Sequence, residues 1–516
     1  MFSEKKLYKF ILIILFLASN LYGNNINVSS VSLRDQNTTT RSMNIVFNVS
    51  WENSFKDDIN WDAAWIFVKY KTGSGEWSHA TLSSNSSDHS SPSGSLTDAA
   101  IDGKGVFIYR NANGAGNNNW SNVKLKWKYG TDGVGDNENL TVKVLGIEMV
   151  YIPQGSFYVG DGDTVITTRA QFSAHNTIDP FLITGEGQLT LGGTTPGNLG
   201  KHYRNQLFKD DFDSIVTQIL PSTFSKGFNS FYCMKYEMTQ EQYVDFLNSL
   251  TRVQQNTRTF TDISGTNITN RYVITNTSVI NYRNGIRCDS ILSSTGAITF
   301  YCDYNGNGIP SEIDDGQSIA CGNLKWEDIT AYLDWSCLSP LTELQYEKAC
   351  RGPLTPIIYE FAWGTNVITT VSGILNSGAA NEIYSNAGAN CIVAVSVSSG
   401  PMRVGNFATT NSSREQSGAT YYGVMEMSGN LSEMCISVGK SNGRLFDGSK
   451  GNGFLDSTGN SNVNTWPTSA LGTLSGFGQH GGSSYTNQII SYISNRISSN
   501  SGNSSRSLHY GCRGVR

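Results

Sequence analysis

The chain has 516 residues, a formal net charge of −5, and only 15% charged residues. Its 53 Gly against 11 Pro, with abundant Ser and Asn, exclude a coiled coil, a collagen-like chain and a highly charged disordered protein. The length allows two or three domains, and the lack of a long basic run argues against nucleic acid as a partner.

Residues 1–23 read as a signal peptide. Lys5, Lys6 and Lys9 precede an apolar run from Phe10 to Ala18, and Gly23 closes a small-residue cleavage site. The run is too short to span a bilayer comfortably. Cleavage removes a net charge of +2 and leaves the mature chain at −7. No Cys near the site offers a lipid anchor, and no later apolar run is long enough to cross a membrane. The expectation is export to the periplasm, the cell surface or the medium.

Residues 24–145 contain no Cys but hold six of the ten Trp: Trp51, Trp61, Trp65, Trp77, Trp120 and Trp127. Short runs such as Asn44–Val49, Ala64–Tyr70, Val106–Tyr109, Val123–Trp127 and Leu140–Val144 are separated by Gly, Asn and Ser clusters. That spacing predicts an all-β sandwich. The indoles fill its core, or some face outward, where a flat apolar ring suits the face of a sugar.

From Ile147 the pattern changes. Thr239-Gln240-Glu241-Gln242 is a capping box, followed by Tyr243, Phe246, Leu247 and Leu250 on one helical face. A second helix is predicted over Trp326–Ser336. A third is predicted to start at Pro340, with the box Thr342–Gln345; it buries Tyr346, Ala349 and Cys350, and ends at Arg351-Gly352. Residues near 161–222 and 252–320 are polar, without helical period, and read as insertions.

All nine Cys follow the signal, an odd number, with no CxxC and no HExxH. Export permits disulfides, and catalytic zinc is not indicated. Asp303-Tyr304-Asn305-Gly306-Asn307-Gly308-Ile309-Pro310-Ser311-Glu312-Ile313-Asp314 reads as a calcium loop, with Asp303, Asn305, Asn307 and Asp314 as ligands and Gly306 at the sharp turn. The other reading is an Asn/Gly turn stapled by a Cys302–Cys321 disulfide. Gly439-Lys440-Ser441-Asn442-Gly443 matches the nucleophile-elbow pattern, but Arg444-Leu445-Phe446 reads as continuing strand where an elbow requires a helix.

The second part resembles the formylglycine-generating (sulfatase-modifying factor) family. The residues that carry the likeness are Glu148–Phe157 with Gly160, Phe231–Thr239 with Gln242-Tyr243, and Trp326-Glu327-Asp328 with Ala331-Tyr332. They continue with Leu338–Ala349, Trp363-Gly364, Tyr422–Glu433, Gly481-Gly482-Ser483 and Gly511–Arg516. The blocks fall in the family's order over most of residues 147–516. The resemblance implies an α+β, C-type-lectin-like formylglycine-generating-enzyme fold, here preceded by the all-β sandwich. It also implies structural calcium, with Asn430 and Glu433 at the Gly-Asn-x-x-Glu positions and Asn381 at a further site; in the other reading, Asn430 and Glu433 pin a turn.

Active members of that family use a cysteine pair after the Gly-Gly-Ser strand to bind copper(I) and oxidise a substrate cysteine with oxygen. Here Ser483-Ser484-Tyr485-Thr486-Asn487-Gln488 follows Gly482, and no Cys lies between Cys435 and Cys512. Copper(I) is a soft ion that selects thiolates over hydroxyls, so copper is not expected. Gln479-His480 also stands where an Arg is common in the family. The stretch His480–His509 corresponds to the family's cleft, and its Ser, Asn and Tyr are adaptable recognition side chains, or else a solvated loop. His480, Tyr485, Asn495, Arg496 and Arg506 are the candidate ligand-binding residues. The leading expectation is an exported, non-catalytic protein that binds a glycan or a cell-envelope protein with structural calcium. The alternatives are an oxidase or other enzyme in the same cleft, and a structural component of a surface or secretion assembly.

Overall fold

A computed structural model of the chain describes residues 25–164, 170–202, 209–394 and 400–516. The expected signal peptide lies outside the described residues. Strand β2 (Ser42–Lys56) pairs with β1 (Asn27–Asn37) and with the strand Gly114–Trp127. Strand β3 (Trp61–Thr72) pairs with Val106–Arg110 and, along its whole length, with Leu140–Ile152. β2 and β3 pair with each other only at Lys56–Trp61. Between them lies one core of Ile45, Phe47, Val49, Trp51, Ala64, Ile66, Val68, Trp120, Leu125 and Trp127.

Alternation along β3 explains the rest of the architecture. Successive strand residues point to opposite faces, so Ala64, Ile66 and Val68 enter this first core, while Ala63, Trp65 and Phe67 enter the core of the second part. A strand covered on both faces reads as a continuous apolar run, which is what Ala63–Val68 shows. The strand Leu140–Ile152 also serves both parts. It passes without a break through residue 146, and its end pairs with Phe231–Met234. That strand joins Gly514–Val515, which joins Ser339–Pro340, so one sheet of eleven strands runs from β1 to Ser339–Pro340.

The three predicted helices form: α1 (Gln240–Leu247), α3 (Trp326–Trp335) and α4 (Glu343–Arg351). Thr239 and Thr342 both complete their capping boxes. The insertions contain more structure than expected. Residues 252–320 include α2 (Arg252–Arg258), capped by Thr251 and Gln254. Residues 161–222 carry a four-stranded sheet whose Phe172, Leu191, Leu199 and Leu220 join the main core. The expected strand after Gly443 is instead a single helical turn, Ser441–Arg444. Ser441 is exposed on that turn, and among the described residues it has no hydrogen bond to a histidine. No described helix is long and apolar enough to cross a membrane.

Candidate functional site

The strand Ser432–Ile436 lies between Phe477–His480 and Tyr510–Gly511, which aligns the Gly-Asn-x-x-Glu segment with both C-terminal motifs. Gly481 and Gly482 follow with φ of 77° and 69°, a region that disfavours side chains. A Cβ at Gly481 would collide with Glu433 Oε2, and one at Gly482 with Ser491 Oγ. This double turn releases Ser483, Ser484 and Tyr485. Ser483 Oγ lies 2.9 Å from His509 Nδ1. The Tyr485 ring meets His509 edge-on at 6.0 Å and Tyr282 edge-on at 6.3 Å. Tyr282, 36% exposed, comes from the second insertion. Burial pushes the Tyr485 phenol up to about 12, so it stays protonated at neutral pH, and its buried hydroxyl has no hydrogen-bond partner.

Of the five expected ligand contacts, His480, Asn495 and Arg496 are buried, whereas Tyr485 and Arg506 are partly exposed. Arg496 is fully buried, donating to Glu343 at 2.7 and 2.9 Å and to Asp210 at 3.1 Å. Burial alone would raise the Glu343 carboxyl, but the Arg496 guanidinium and His480 hold it at about 2. His480 is buried with Nε2 3.5 Å from Glu343. Asn495 is buried and spends its amide on the Ile489 carbonyl and the Ile497 N–H. Arg506 pairs with Asp328 and caps the Arg258 carbonyl at 2.9 Å. These four side chains are held by partners within the protein, and a buried charge such as Arg496 needs one.

Of the metal ligands implied by the family resemblance, Asn430, with φ 57°, gives its amide to Glu237 and takes the Met402 N–H at 2.8 Å, so both ends of its side chain are engaged. Glu433 pairs through Oε1 with Arg513 at 3.1 Å, and its buried Oε2 has no hydrogen-bond partner. Asn381 is exposed, and its backbone carbonyl accepts from Asn376. Beside Arg513, burial pushes the Glu426 carboxyl up to about 7 despite the opposing pull of the Arg513 guanidinium.

The loop Asp303–Asp315 does gather oxygen ligands. One carboxylate oxygen from each of Glu312, Asp314 and Asp315 lies within 4.8 Å of the others, and this is the one such acidic group among the described residues. Asn305 donates to Asp314 at 3.0 Å, and Asn307 donates to Glu312. Asp303 is buried against Arg287 and accepts the Gly308 N–H at 3.1 Å. The expected set therefore changes: Glu312 and Asp315 join it, while Asp303 holds the base of the loop. The expected Cys302–Cys321 bridge is absent; all nine cysteines are free and buried. Burial pushes the Cys233 and Cys288 thiols up to about 12.

Sequence reasoning missed Tyr282, Glu312 and Asp315. For the last two, the acidic run after Ser311 was a usable signal; for Tyr282, nothing local announces its approach to Tyr485.

The model of the sulfatase-modifying factor enzyme 1-like domain matches residues 217–516, more than half of the chain, and the protein belongs to that family. The Glu148–Phe157 block lies before the matched stretch. No curated protein matches the chain.

Proposed function

We propose that this sulfatase-modifying-factor-like protein is an exported, non-catalytic recognition protein whose ligand is a glycan or a cell-envelope protein. The observation that carries the reading is the segment after Gly482. It carries the buried Ser483 and Ser484 and a partly exposed aromatic pair, Tyr485 with Tyr282, where oxidising members of the family hold copper(I) on two thiolates. Tyrosines of this kind are rigid, amphipathic contact groups that stack on sugar rings and accept varied protein surfaces. The C-type-lectin-like arrangement of the C-terminal part belongs to the same reading, supported by the family membership and by short strands between few helices. Export rests on the basic and apolar N-terminal sequence.

The purified mature chain, given copper, oxygen and a cysteine-containing peptide, should leave the peptide unchanged in mass. Oxygen-dependent conversion of the peptide cysteine would overturn the non-catalytic reading.

A further inference from the structure

We propose that the loop Asp303–Asp315 is a calcium site whose charged ligands are Glu312, Asp314 and Asp315. The proposal stands apart from the ligand reading above. Calcium takes carboxylate and carbonyl oxygens at about 2.4 Å, so two ligands on opposite sides of one ion lie about 4.8 Å apart. The three carboxylates fall within that span. Glu312 and Asp314 reach solvent, giving an ion a way in, whereas Asp315 is fully buried.

One buried atom points to a missing ligand: Asp315 Oδ1 has no hydrogen-bond partner, although Oδ2 takes the Glu312 N–H at 2.7 Å. An unsatisfied buried carboxylate oxygen is costly. Among the described residues, no salt bridge reaches Glu312, Asp314 or Asp315, and the only one in the loop is Arg287 on Asp303. Four carboxylates in thirteen residues thus share one cation. The donors are all oxygen, with no sulfur or imidazole, which selects a hard divalent ion. Carboxylates of mixed exposure on an irregular loop suit calcium better than magnesium, which demands a tighter octahedron.

The loop is also tied to the family domain: the Ala380 N–H donates to the Ile313 carbonyl at 3.1 Å, and the Gly316 N–H to the Gly378 carbonyl at 2.8 Å. Ion binding would therefore stabilise the whole domain rather than only a free loop.

Calorimetric titration of the mature chain with calcium chloride tests the proposal, alongside thermal unfolding in calcium, magnesium and chelator. The wild-type chain should give a saturable calcium heat and a higher Tm in calcium than in chelator, with a smaller response to magnesium. Glu312→Gln with Asp314→Asn changes only solvent-reaching groups and should weaken calcium binding at least about tenfold. If that double variant is unfolded in chelator, Asp314→Asn alone decides the matter. A wild-type chain with no saturable calcium heat, or a folded variant with unchanged affinity, would overturn the site.

Discussion

Arg496 is fully buried between Glu343 and Asp210, and its guanidinium lies 3.9 Å from the centroid of the Phe172 ring. Removing one member of such a pair leaves the other charge buried and uncompensated, at a cost of about 3–5 kcal/mol. Arg496→Met should lose about that much in urea denaturation; a loss under about 1 kcal/mol would contradict a structural role. The pH dependence follows from Glu343. Its folded value of about 2 lies below the ordinary 4.5, so its contribution is complete above pH 4.5 and is lost as pH falls toward 2. The stability gap between wild type and Glu343→Gln should therefore narrow between pH 4.5 and 3, measured by the same denaturation. A gap that stays constant would show that Glu343 is not held ionised by its partners. Residue type alone concealed this role. An Arg in a Ser/Asn-rich stretch is compatible with a ligand contact, and its partners lie 153 and 286 positions away in the chain.

At the scale of elements, the sequence was most legible where the interaction is local. The Thr239 and Thr342 capping boxes are closed within four residues, and both helices start where their boxes predict. Thr342→Ala should cost about 1 kcal/mol; thermal denaturation measures it, and an unchanged Tm would mean that the cap is redundant. The same box at Thr251 and Gln254 was readable but lies in a stretch without apolar periodicity, so α2 escaped notice. α4 shows the converse. Its periodic face predicts burial of Tyr346, Ala349 and Cys350, yet all nine residues are buried. Glu343 and Arg351 can be buried because Arg496 and Glu360 pair with them from outside the helix, and Glu347 pairs with Arg351 within it. Periodicity reports which face meets apolar neighbours and says nothing of a distant counter-charge. The loop Asp303–Asp315 behaves likewise: the spacing of its Asp and Asn residues is legible in the sequence, while the convergence of carboxylates at 312, 314 and 315 depends on how the chain turns.

At the scale of the molecule, β3 joins the two parts, because alternate residues belong to different cores. Trp65 Nε1 donates to the Ser336 carbonyl at 3.0 Å, and Lys69 Nζ to the Trp335 and Gly453 carbonyls at 2.8 Å each. Burial lowers Lys69 to about 7 from 10.5. Between those values the unfolded chain carries a proton that the folded chain does not, so this group makes stability rise with pH from about 7 to 10.5. Lys69→Met should flatten that part of the stability profile relative to wild type; an equally steep profile would remove Lys69 as its source.

Recognition through the surface around Tyr485 and Tyr282 is tested by binding of the mature chain to a glycan array and to immobilised cell-envelope proteins, in calcium and in chelator, beside the Tyr485→Ala variant. The wild-type chain should bind a saturable ligand, and the variant should lose that binding. A folded Tyr485→Ala protein that binds as well as wild type, or a wild-type chain silent on both surfaces in both conditions, would contradict it.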